Sequence, residues 1–202
     1  MPQGLLVVVS GPSGCGKGTV CDLLRQRHPE IIYSISATTR KPRPGEQEGV
    51  NYFFLTREQF QQRVTASGFL EWAQVYGNLY GTPRTWVEEK LAAGHDVLLE
   101  IDTQGALQVK AGYPAGILIF LLPPDLAELE RRISQRGTES SEERQRRLQS
   151  ARKEIAQIRN YEYLVINDKV EQAVQTMEAI LEAEHSRISR FNEQELKVKL
   201  GG

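Results

Sequence analysis

Short apolar runs recur along the chain, each followed by a stretch whose apolar positions return every three or four residues. Leu5 to Ser10 precedes a helical pattern from Lys17 to about Arg27, and Val97 to Ile101 precedes one from about Gly105. Ile117 to Leu122 precedes Leu126 to Gln135, and Leu164 to Ile166 precedes a helix from Val170 onward. A strand buried on both faces needs an uninterrupted apolar run, and regular alternation with helices makes such strands parallel. The predicted fold class is therefore α/β, a doubly wound core with helices on both faces of one parallel sheet.

Two stretches break the alternation and look like inserted modules. The first, from about Ala37 to Pro83, carries the Pro/Gly-punctuated basic segment TTRKPRPGEQEGVNYFF, a helix predicted from Arg57 to Ser67, and FLEWAQVYGNLYGTP. The second, RGTESSEERQRRLQ, runs from Arg136 to Gln149 between a helix ending near Gln135 and another reaching about Arg159. A chain of 202 residues suits one core. The expected organisation is a single domain over 1–202, with core segments at about 1–36, 84–135 and 160–200, one insert at about 37–83 and another at about 136–159. The closing QELKVKLGG is expected to fray.

Composition narrows the partners. A net charge of −1, with 40% hydrophobic and 25% charged residues, gives no overall electrostatic case for nucleic acid or an acidic membrane, so any anion site must be local. Cys15 and Cys21 form neither a disulfide framework nor metal-type spacing, which points to a reducing cytoplasm. MPQGLLVVVSGPSG lacks a basic leader, and its apolar stretch falls far short of the ~20 residues of a membrane span. His28, His95 and His185 are scattered along the chain, match no triad or metal pattern, and are expected at the surface. A monomer or a homodimer is expected, and no sequence feature argues for the dimer.

The first local anion site stands directly after the first apolar run. GPSGCGKGT, Gly11 to Thr19, nearly spells the phosphate-loop pattern G-x-x-x-x-G-K-[ST], but Gly18 replaces the metal-holding hydroxyl and Thr19 follows one place late. Phosphate binding needs inward backbone N–H groups, glycines that permit close approach, and the positive end of the next helix. All three survive, so Gly11, Pro12, Ser13, Gly14, Cys15, Gly16, Lys17, Gly18 and Thr19 are expected to cradle a nucleoside triphosphate, which the family resemblances below make ATP, with the Lys17 ammonium on the β/γ-phosphates. The lost ligand means that Mg²⁺ would be held through ATP phosphates and water, with Thr19, Glu100 and Asp102 as candidate contributors. The GKGT ending also resembles nucleoside monophosphate kinases of the adenylate kinase type.

A phosphate loop alone does not separate hydrolysis from transfer. Asp102-Thr103-Gln104-Gly105 fits the D-x-x-G of small GTPases, but the guanine-reading N-K-x-D is missing, since Ile166-Asn167-Asp168-Lys169 has the wrong order. A kinase instead needs an acceptor site. Arg40 and Arg43 flank the stiff Pro42, so two planar forks can converge on one dianion, with Tyr52 and Tyr80 adding hydroxyl donors.

Taken together, GPSGCGKGT, SISATTRKPRPGEQEGVNYFF, FLEWAQVYGNLYGT, LLEIDTQG, RGTESSEERQRRL and VIND, in this order from Gly11 to Asp168, resemble the guanylate kinase family. The resemblance implies a P-loop NTPase-type core with a GMP-binding insert and a short helical lid, and transfer of the ATP γ-phosphoryl to GMP or dGMP. It implies that Glu71 reads guanine beside Ser36, Thr82 and Asp102, and that Arg40, Arg43, Tyr52 and Tyr80 hold the GMP phosphate. It places Arg132, Arg136 and Arg147 over the triphosphate, Arg147 also reaching GMP, and Asn167 on the adenine side of ATP. Lys17, Arg40, Arg136 and Arg147 would carry catalysis, with Mg²⁺ as cofactor. Two rival readings are a peptide-binding adaptor module, which the intact Lys17 and the arginines oppose, and a P-loop kinase for another phosphorylated acceptor, which Glu71, Ser36 and Thr82 oppose.

Overall fold

The computed structural model describes residues 3–75, 77–134, 141–191 and 196, with 141–144 described at the backbone alone. In chain order the elements are β1 (Leu6–Ser10), α1 (Lys17–Arg27), β2 (Ile32–Tyr33), β3 (Ala37–Thr38), β4 (Phe53–Phe54), α2 (Arg57–Thr65), β5 (Phe69–Val75), β6 (Asn78–Pro83) and α3 (Arg84–Ala92). There follow β7 (Val97–Glu100), α4 (Thr103–Gly112), β8 (Ile117–Leu122), α5 (Leu126–Ser134), α6 (Ser141–Ile155), β9 (Tyr163–Ile166) and α7 (Val170–His185).

Five strands form one sheet in the order β2-β7-β1-β8-β9, every neighbouring pair parallel. The apolar runs are continuous because successive side chains of one strand enter opposite layers. Leu5, Val7 and Val9 pack with Cys21 and Leu24 of α1 and Val174 and Met177 of α7, whereas Leu6 and Val8 pack with Val87 and Leu91 of α3 and Ala106 and Val109 of α4. The chain leaves central β1 toward β2 on one side and crosses from β7 to β8 on the other, so the carboxyl end of β1 opens into a crevice.

The segment 37–83 contains a second, mixed sheet, β4-β3-β6-β5, which the apolar pattern did not announce. The reason is physical. Strands β3 and β4 are two residues each, too short to show a period, and β5 buries Phe69, Leu70 and Glu71 in succession rather than alternately. Its own small core joins Phe60 and Phe69, stacked at 4.4 Å, to Ala37 and Leu79. Thr56 begins α2 with a complete capping box with Gln59. Helix α4 starts at Thr103, two residues before the predicted Gly105, because the Asp102 side chain caps it by accepting the Gly105 N–H at 2.8 Å.

The histidines are at the surface but not apart. His28, His95 and His185 line one cavity of about 670 Å³ with Glu30, Asp96, Glu178 and Glu182. It lies at the amino ends of β2 and β7, away from the crevice. His28 is bonded to Glu30 and to Glu178 of α7, each at 3.0 Å, and Arg27 lies 3.5 Å from the same Glu178. The Glu30 bond, aided by Glu178, raises the His28 imidazole above its ordinary value against partial desolvation. A raised histidine stabilises the fold fully below the unfolded value of ~6.5 and loses that contribution as pH rises through the folded one. The melting-temperature gap between wild type and His28→Asn is therefore expected to be widest near pH ~6 and to narrow by pH ~8, as a pH series of thermal melts would show.

Candidate active site

The loop between β1 and α1 sits at the mouth of the crevice. Gly16 caps α1 with φ 90°, a left-handed conformation that a side chain would oppose, and no side chain caps the helix or places an acid in its first turn. The first-turn N–H groups therefore face outward with the positive end of the helix behind them. Lys17 folds back over the loop, its Nζ donating to the carbonyl oxygens of Gly11 at 2.7 Å and Pro12 at 3.4 Å. A cavity of about 480 Å³ is lined by Ser13, Gly14, Gly16, Lys17, Gly18, Thr19, Glu100 and Arg132. It is smaller than the histidine-lined cavity, yet it combines the loop with the cationic side chains of Lys17 and Arg132. Cys15 is fully buried and its thiol is pushed up, chiefly by burial with Lys17 opposing, so it is an inert packing residue.

Asn167 lies beneath this loop. It is 2% exposed, and its Nδ2 donates to the Cys15 carbonyl at 2.8 Å. Arg132 donates to the Asn167 carbonyl at 3.1 Å and to Glu128 Oε1 at 2.7 Å. Arg131 and Arg132 together hold the Glu128 carboxyl down at about 2. Arg136 lies outside the described residues. Arg147 of α6 donates to Ser13 Oγ at 2.8 Å, and Glu154 of the same helix accepts the Ser13 N–H at 3.1 Å. Sequence inspection missed Glu154, since no local signal marks a carboxylate 141 residues from the backbone group it holds.

On the metal side, Glu100 faces the loop. A Cβ built on Gly18 would lie 3.7 and 3.9 Å from the two Glu100 oxygens, and Tyr33 donates to Oε2 at 3.1 Å. Asp102 is occupied by its cap bond. Among the described residues no three His, Cys, Asp or Glu side chains group as a metal cage. Glu100, a carboxylate oxygen donor beside the loop, fits as the neighbour of an ion carried largely by phosphates and water.

The second sheet supplies two further groups. Arg40 makes a two-pronged pair with Glu46, at 2.9 and 2.8 Å, and its guanidinium stands 5.2 Å from the Tyr52 ring centroid. Tyr52 and Tyr80 meet edge to face at 6.1 Å. Arg43 is exposed, and its backbone N–H donates to the same Glu46 carboxylate at 2.7 Å. Glu46, which sequence inspection also missed, thus draws both arginines into one turn, and Arg40 in particular holds its carboxyl below the usual range. Glu71 is 7% exposed; Thr82 Oγ1 donates to its Oε1 at 2.6 Å, and Gly105 borders Oε2. Burial pushes the Glu71 carboxyl up, with Thr82 opposing and Asp102 adding to the rise. Ser36 directly precedes β3, whose Ala37 pairs with Gly81, the residue before Thr82.

A phosphate loop at the carboxyl end of a central parallel strand, with a cationic turn and a buried carboxylate on an adjoining sheet, defines a P-loop kinase. Residues 3–184 match the family model described as guanylate kinase. A guanylate kinase of Clostridium perfringens is 53% identical over 197 residues, covering 98% of this chain and 91% of that protein. One from a Synechococcus strain is 58% identical over 179 residues, covering 89% and 82% respectively. The crystal structure of guanylate kinase from Anaplasma phagocytophilum superimposes with a TM-score of 0.75 at 32% identity, over 99% of this chain and 97% of that one. The chain belongs to the guanylate kinase family and is an enzyme of that class. Among the described residues, no helix is long and apolar enough to cross a membrane.

Proposed function

We propose that the protein moves the γ-phosphoryl of ATP onto GMP or dGMP across the crevice, with 37–83 as the GMP-binding insert and 136–159 as the lid. The observation that carries this reading is Glu71, a buried carboxylate bonded by Thr82 on the insert that also bears the arginine turn. Guanine presents N1–H and the 2-amino group as adjacent donors, which a carboxylate accepts together; Ser36 and Thr82 would flank it, with Asp102 setting the adjoining helix.

Arg40, Arg43, Tyr52 and Tyr80 would hold the GMP phosphate, and the loop from Gly11 to Thr19 the ATP phosphates. Lys17, Arg132, Arg136 and Arg147 would stabilise charge on the moving group, and Asn167, which holds the loop from below through the Cys15 carbonyl, would stand on the adenine side of ATP. A GMP phosphate oxygen attacks the γ-phosphorus as the bond to the bridging oxygen breaks, and ADP leaves with that electron pair. No general base is needed, because the second phosphate pKa is about 6 and the attacking group is largely ionised at neutral pH. Mg²⁺ on the ATP phosphates would supply charge neutralisation, with Glu100, Thr19 and Asp102 as its protein neighbours. Water is the competing acceptor, so the lid and insert should close over both substrates.

A coupled assay of ADP formation with ATP and Mg²⁺ against GMP, dGMP, AMP, UMP and IMP tests this. Turnover is expected with the two guanine nucleotides, and equal rates with AMP would overturn the assignment of Glu71.

A further inference from the structure

Between Phe69 and Trp72 the β5–β6 ladder slips: Phe69 pairs with Pro83 and Trp72 with Gly81, three steps on one strand against two on the other. One extra residue is therefore accommodated in β5, a β-bulge that re-aims its side chains. It sends Leu70 into the core layer with Val87 and Leu91 and turns Glu71 inward beside Thr82. A bulge is a soft place in a ladder, and a slip of one residue would carry Glu71 to the other face.

Strand β5 is also the last strand of its sheet, so the outward N–H and C=O of Trp72 lack a strand partner. Gln108 of α4 takes both: its Oε1 accepts the Trp72 N–H at 3.1 Å and its Nε2 donates to the Trp72 carbonyl at 3.2 Å. The side-chain amide imitates a paired strand at the residue after the carboxylate. One helical turn earlier on the same face, Gly105 abuts Glu71 itself; a Cβ there would lie 3.1 Å from Oε2 and 3.3 Å from Ile101 Cδ1. A further three residues back, Asp102 fixes that turn through the Gly105 N–H. The D-x-x-G match thereby has a structural role here, as the cap of α4.

We infer that Gln108 and Gly105 are positioning residues for guanine selection, α4 acting as the template that locks the bulge and aims Glu71 at the base. The inference rests on the proposed base-reading role of Glu71. Gln108 is exposed, so its removal should hardly move global stability and should act on base choice instead.

The test is steady-state kinetics of Gln108→Leu, Gln108→Glu and Gly105→Ala with GMP and with IMP, which lacks the 2-amino group, beside Glu71→Gln and thermal melts. Gln108→Leu is expected to melt close to wild type, keep its ATP KM, raise the GMP KM about 3- to 10-fold and lose a like factor of GMP-over-IMP preference. Gln108→Glu keeps the acceptor but not the donor and should fall between; Gly105→Ala should raise the GMP KM by displacing Oε2. Wild-type GMP KM and base preference in Gln108→Leu, alongside a lost preference in Glu71→Gln, would overturn the inference and leave the Glu71 reading standing. Intact preference in Glu71→Gln would overturn both.

Discussion

Lys17→Ala is expected to lower turnover by about 10³-fold while the protein still folds, the scale on which a lost transition-state charge partner is felt. The loop backbone survives the change, because Gly16 still starts α1 and Asn167 still holds the Cys15 carbonyl. What disappears is the ammonium, now poised on the Gly11 and Pro12 carbonyls and able to swing from them to phosphate oxygens. Lys17→Arg should not restore activity, since a planar fork cannot occupy the space of a compact point charge. ADP release under saturating ATP and GMP, with a thermal melt as the folding check, decides the matter, and undiminished turnover in Lys17→Ala would remove the loop from the mechanism.

Glu71→Gln is expected to cut kcat/KM for GMP by about 10²-fold, the scale of two charge-assisted hydrogen bonds, and to flatten the preference over AMP and IMP. The same variant should melt higher than wild type at neutral pH. Burial raises the Glu71 carboxyl. A carboxyl raised in the folded state stabilises while protonated and loses that contribution as pH rises through the folded value, so the neutral amide escapes the loss. The melting advantage should vanish in acid, where both side chains are uncharged. Higher stability with poorer selectivity is what a functional buried charge requires, whereas a carboxylate retained for structure would lose both.

How much of this was visible in the chain depends on how far apart the cooperating groups are. The phosphate loop is nine contiguous residues between a strand and a helix, so motif, backbone and chemistry were legible together. The parallel sheet was equally plain, because each run from Leu6 to Ser10, Val97 to Glu100 and Ile117 to Leu122 feeds two buried layers at once. Glu46, Glu154 and Gln108 were not, nor was the meeting of the three histidines. Ser13 and Glu154 are 141 residues apart, Tyr33 and Glu100 67, and Trp72 and Gln108 36, with no periodicity linking them.

The amino-acid sequence by itself determined the α/β class, the position of the anion-binding turn and the identity of the charged groups available to it, because local hydrogen bonding and the side-chain period act over a few residues. Only the tertiary structure decided where those groups point. Strand order brings the crevice to the end of β1, one extra residue in β5 turns Glu71 inward, and helices remote in sequence supply the contacts on Ser13 and Trp72. Those outcomes depend on which layers pack together, and packing is a property of the assembled chain.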